Sequence, residues 1–71
     1  MSEFRRTCIQ YSLMHRRNAK RLEKLAEMCR GAGLHDEVLR YTVEAQRSRN
    51  LAKQWELAGF ESATAPESDR P

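Results

Sequence analysis

Residues 18–45 read NAKRLEKLAEMCRGAGLHDEVLRYTVEA, two amphipathic half-patterns on either side of a glycine turn. Before the turn Leu22, Leu25, Ala26 and Cys29 recur at three- and four-residue spacing, and after it Leu34, Val38, Tyr41 and Ala45 do the same. That is the period of a helix carrying one apolar stripe. Gly31 stands where a left-handed residue closes a helix, Arg30 brings a cation to the carbonyl end, and Asp36 and Glu37 place negative charge in the next first turn. A connection this short makes its helices antiparallel neighbours, so the two stripes face each other.

Towards the N-terminus, Ser2 can cap a helix with Glu3 in its first turn. The first helix is expected over about 3–30, the turn over 31–35 and the second helix over about 36–58. The seam of the first helix reads Phe4, Cys8, Tyr11, His15, Asn18, Leu22, Leu25, Cys29, alternating four and three. Leu34, Val38, Tyr41, Ala45, Ser48, Ala52, Trp55 and Gly59 supply the complementary alternation. Folding at the turn then pairs Leu25 with Val38, Leu22 with Tyr41, Asn18 with Ala45, His15 with Ser48, Tyr11 with Ala52 and Cys8 with Trp55. Ser48 is also placed to cap a short third helix over 51–57, but the seam crosses it without Gly or Pro, and one continuous helix is the expectation. Gly59 closes that helix and lets Phe60 fold back towards Phe4, completing a hairpin over 1–60. Residues 61–71 hold both prolines, three acids and no large apolar side chain, and read as a disordered acidic tail.

A 71-residue chain makes one domain at most, and a two-helix hairpin alone is marginal, so the fold calls for a partner. The expected architecture is all-α: an antiparallel two-helix hairpin that dimerises into a four-helix bundle. Its assembly core is Tyr11, His15, Asn18, Leu22, Leu25, Val38, Tyr41, Ala45 and Trp55. His15 and Asn18 occupy positions where stability alone would favour leucine, and a buried Asn is a device for fixing register and oligomeric state.

The formal charge of +3 is unevenly placed: residues 1–32 carry eight Lys or Arg against Glu3, Glu23 and Glu27. Arg16, Arg17, Lys20, Arg21 and Lys24, with Arg6 on the same side, form a basic stripe opposite the expected seam. Arg17 with Arg21, Arg16 with Lys20, and Lys20 with Lys24 are like-charge i, i+4 pairs, each destabilising by about 0.2–0.5 kcal/mol. A stripe that repels itself is more useful with an anion on it, and nucleic-acid phosphate is the leading candidate.

Other chemistry is poorly served. Cys8 and Cys29 fall on one helix roughly 30 Å apart at ~1.5 Å per residue, beyond disulfide reach, and read as free thiols. No nucleophile stands with a base, no metal-ligand set is spaced for binding, and no glycine-rich loop cradles phosphate, so neither enzyme activity nor a cofactor is expected. No apolar run approaches the ~20 residues of a membrane span and the N-terminus lacks a secretory h-region, which points to a cytoplasmic protein.

Leu22, Leu25, Ala26, Gly33, Asp36, Glu37, Val38, Tyr41 and Ala45 resemble a single tetratricopeptide unit, with Val38 where that family has a small residue and Cys29 and Thr42 at its aromatic positions. In plan, a short hairpin with a polar-centred seam and an acidic tail is similar to the Rop-type proteins. That resemblance implies dimerisation into a four-helix bundle and binding of paired RNA loops. The functional expectation is a small non-enzymatic adaptor or regulator acting through helix packing and self-association, with an as yet unidentified protein partner. The alternative is a nucleic-acid-binding regulator using the basic stripe.

Overall fold

A computed structural model of the chain describes residues 3–64, with side chains through residue 61. Two helices, α1 (Glu3–Gly31) and α2 (His35–Thr64), pack against each other as a hairpin 60 Å long, and no strand occurs among the described residues. α2 runs unbroken through Ser48, Arg49 and Asn50, so the described chain has no third helix.

The turn differs from the sequence expectation by two residues. Gly31 is helical, and the left-handed residue is Gly33, at φ 75°. The Gly33 N–H donates to the Arg30 carbonyl at 3.2 Å and the Leu34 N–H to the Cys29 carbonyl at 2.9 Å, the crossed pair of bonds that satisfies the last carbonyls of a helix when glycine follows its cap. The Leu34 carbonyl then accepts the first bond of α2, from Val38 N–H at 3.0 Å. Space is open around a Cβ at either glycine, so backbone conformation alone separates them. Gly31→Ala should stabilise the hairpin by about 0.5–1 kcal/mol, whereas Gly33→Ala should destabilise it by about 1–2 kcal/mol. Urea unfolding of the two variants measures this; the opposite order would return the turn to Gly31.

Moving the centre of the turn from Gly31 to Gly33 shifts the helix register by one turn. Asn18 meets Ser48 rather than Ala45, Tyr11 meets Trp55 rather than Ala52, and Cys8 meets Gly59 rather than Trp55. The C-terminal expectations change with it. Gly59 does not end α2, because its missing side chain serves packing: a Cβ there would stand 3.0 Å from the Cys8 Cβ. The helix continues through residues 61–64, which the sequence had assigned to the tail. The rest of that tail, 65–71, lies outside the described residues.

The seam of α1 is also rotated. Cys8, Ser12, Ala19, Leu22 and Ala26 are buried, opposite Ala45, Ser48, Ala52 and Gly59 of α2. On α2 this is the expected stripe; on α1 the track 12, 19, 26 has replaced the track 11, 18, 25. Small side chains on both helices let the backbones approach closely, and larger neighbours are displaced to the rim. The buried hydroxyls are provided for. Ser12 Oγ donates to the Ile9 carbonyl at 2.8 Å, and Ser48 Oγ accepts from Asn18 Nδ2 at 2.9 Å.

Candidate interaction surface

The tight seam divides the hairpin into two unlike edges. Along one edge the helices are tied by charge. The Arg16 guanidinium donates from Nε and Nη2 to the two Glu56 carboxylate oxygens, both at 2.7 Å, and Arg49 pairs with Glu23. Arg16 and Glu23 each follow a buried small residue, Ser12 and Ala19, by four positions, so one helix turn sets both on the same side. The Arg16 hydrogen bonds hold the Glu56 carboxyl below its ordinary value; partial burial opposes the shift, and the charges of Arg16 and Lys53 add to it. A depressed carboxylate contributes stability that is present above its unfolded value and lost as pH falls through the folded one. Unfolding midpoints should therefore be insensitive to this pair from neutrality down to about pH 5 and fall below the usual glutamate range near 4.3. Glu56→Gln should flatten that acid limb. As the pair is solvent-exposed, the change at pH 7 should stay within the small range of surface ion pairs.

The other edge is apolar with a polar centre. Tyr11, Asn18 and Leu25 each precede a buried small residue by one position and so flank the seam opposite the ion pairs. Tyr11 stacks on Trp55 with ring centroids 4.8 Å apart and an interplanar angle of 27°. Yet Tyr11 is still 41 % exposed and Phe4 53 %, while Leu25, Tyr41 and Trp55 are half buried. Asn18, hydrogen-bonded to Ser48, lies between these apolar groups. Of the expected assembly core, Leu22 and Ala45 are thus buried within the hairpin. His15, Asn18, Leu25, Val38, Tyr41 and Trp55 are half buried, and Tyr11 is exposed. Phe60, expected to close onto Phe4, is 64 % exposed.

The basic stripe does not act as one unit. Arg16 is engaged by Glu56, so it belongs to the salt-bridged edge, and Arg21 Nη2 reaches Asn18 Oδ1 at 3.5 Å. Arg6, Arg17, Lys20 and Lys24 are exposed and have no ion-pair partner among the described residues. Arg17 and Arg21, with Met14 and Asn18, line an open surface hollow of about 270 Å³.

The sequence reading did not single out the outer face of α2. Leu39, Val43 and Leu57 are exposed there. Leu39, Val43, Gln46, Asn50, Lys53, Leu57 and Phe60 repeat at spacings of four and three, a second heptad stripe that the sequence already contained. Among the described residues no cluster of three or more His, Cys, Asp or Glu is placed to hold a metal ion, and no helix is long and apolar enough to cross a membrane.

Fold and surface define a class: an antiparallel helical hairpin with one salt-bridged edge, one apolar edge and unpaired cations on its first helix. Comparison with known protein families, with characterised proteins and with solved structures finds no match, so the functional reading rests on these residues.

Proposed function

We propose that this chain is a small, non-enzymatic, cytoplasmic adaptor or regulator that works through helix packing, and that it self-associates as a dimer, forming a four-helix bundle. The observation that carries this reading is the difference between the two edges. Ion pairs close one edge within the hairpin, while Phe4, Tyr11, Leu25, Tyr41 and Trp55 leave an incompletely covered apolar band along the other. An apolar band of that length marks an interaction surface. A second copy laid on it buries the band of both chains and turns Asn18 and Ser48 into a central polar layer that fixes register. The stability that the small-residue seam lacks is then supplied between chains. Sedimentation equilibrium should find a species of twice the 8.3 kDa chain mass; an 8.3 kDa species at every concentration contradicts the proposal.

A second reading is favoured by Arg6, Arg17, Lys20 and Lys24, whose charges are not neutralised by acidic neighbours among the described residues. They suit a nucleic-acid backbone. If these four cations engage phosphates, binding to mixed RNA and DNA should weaken on the order of 100-fold between 50 and 200 mM salt, from a slope of about −0.9 per phosphate. Filter binding at the two ionic strengths checks it. Affinity that does not change with salt assigns the stripe to solvent.

A further inference from the structure

We propose that the outer face of α2 is a second self-association surface, on which α2 of another copy packs antiparallel. This rests on the self-associating reading above but uses a different face. Leu39, Val43 and Leu57 are 66, 49 and 56 % exposed on the side of α2 turned away from α1. With Gln46, Asn50 and Lys53 they form a stripe at alternating four- and three-residue spacing from 39 to 57, apolar towards its ends and polar at its centre. α2 therefore carries heptad stripes on two opposite faces, and α1 covers only one of them.

The identity of the occupant follows from the pattern itself. In antiparallel order the stripe matches its own copy layer by layer. Leu39 falls opposite Leu57 of the second copy, Val43 opposite the aliphatic stem of Lys53, and Gln46 opposite Asn50, each pairing occurring twice about a two-fold axis near position 48. Leucine meets leucine at both ends, and the amides meet at the centre. Within the helix Gln46 Nε2 donates to Asn50 Oδ1 at 3.1 Å and Gln46 Oε1 accepts from Arg49 Nη1 at 3.2 Å, and each amide nitrogen keeps a further N–H for a bond between helices. The outer face of α1 offers no such match, since Arg17, Lys20, Arg21 and Lys24 would oppose like charges. The stripe runs for roughly 30 Å at ~1.5 Å per residue. Two helices in contact over that length bury on the order of 1,200 Å², the low end for a specific interface. The contact is accordingly weaker than the edge-to-edge dimer and adds to it, building dimers into larger species at high concentration. Arg47 from each copy lies beside the axis, so this association strengthens with salt, opposite in sign to phosphate binding.

Sedimentation equilibrium on the full chain and on two double variants tests this. The wild type should pass beyond the dimer as concentration rises, and L39E with L57E, both at exposed positions, should stop at the dimer with the dissociation constant of the larger species raised at least tenfold. A wild type that ends at the dimer, or an L39E/L57E variant that assembles like the wild type, overturns the inference and leaves the edge-to-edge reading intact. If the variant Tyr11→Glu with Leu25→Glu still forms a dimer that L39E/L57E abolishes, the outer stripe is the self-association surface and the edge-to-edge reading fails. Orientation is read by oxidative cross-linking in a Cys29→Ser background, with helicity checked by circular dichroism. A mixture of Leu39→Cys and Leu57→Cys chains should cross-link to each other, while Leu39→Cys alone should not; self-linking of Leu39→Cys means parallel packing and overturns the antiparallel assignment.

Discussion

Gly59→Leu is expected to lower the stability of the hairpin by about 2 kcal/mol and its melting midpoint by roughly 10 °C. The position is buried, and a Cβ there already stands 3.0 Å from the Cys8 Cβ and 3.9 Å from the Arg5 carbonyl oxygen. The three further carbons of a leucine have no room without separating the helices, a cost of up to about 3 kcal/mol. Leucine's better helix propensity returns only ~0.8 kcal/mol of it. The cause is steric and reciprocal, so it changes sign when the opposing side chain is removed. In a Cys8→Gly background, Gly59→Ala should stabilise by about 0.8 kcal/mol, the plain helix-propensity gain. Thermal melts of the single and double variants check both values. If Gly59→Leu melts like the wild type, Gly59 is a helix end and not a packing site.

The larger effect on assembly is expected at the apolar edge. Replacing Tyr11 and Leu25 together by glutamate should raise the dissociation constant of the dimer by at least about 100-fold. Burying each such side chain contributes about 1.5–3 kcal/mol, each is used twice across a two-fold interface, and tenfold in affinity corresponds to 1.4 kcal/mol. Thr42→Glu, which puts a charge on the salt-bridged edge, should leave the dimer unchanged. Analytical ultracentrifugation of both variants tests the assignment of edges. Loss of the dimer in Thr42→Glu and its survival in the Tyr11 and Leu25 variant would exchange the two edges.

The hairpin itself was legible in the sequence because the stripe of α2 that continues from the turn, Val38, Tyr41, Ala45, Ser48, Ala52, Trp55 and Gly59, faces α1 as its spacing implies. The face of α1 was not. It carries two adjacent heptad tracks, Tyr11, Asn18, Leu25 and Ser12, Ala19, Ala26, and hydrophobicity favours the first. The small residues of α2 decide for the second, because Ala45, Ala52 and Gly59 allow a close approach that only Ser12, Ala19 and Ala26 can match. That signal was present but lay in the complementarity of the two helices, not in either one. The register was missed for a local reason. Gly31 and Gly33 are equally good sequence candidates for the left-handed position, and only the crossed hydrogen bonds to Arg30 and Cys29 select Gly33. The basic stripe shows the limit of counting charges, since Arg16 lies within reach of Glu56, forty positions away in sequence.

The measurement that tests the central claim most directly is to follow mass and helicity together while the purified chain is diluted. If the hairpin is completed by a second copy across its apolar edge, sedimentation and far-ultraviolet circular dichroism should change together, with the dimer dissociating and helicity lost over the same concentration range. A monomer that keeps its full helicity on dilution would contradict the account, because the small-residue seam would then hold the two helices without a partner.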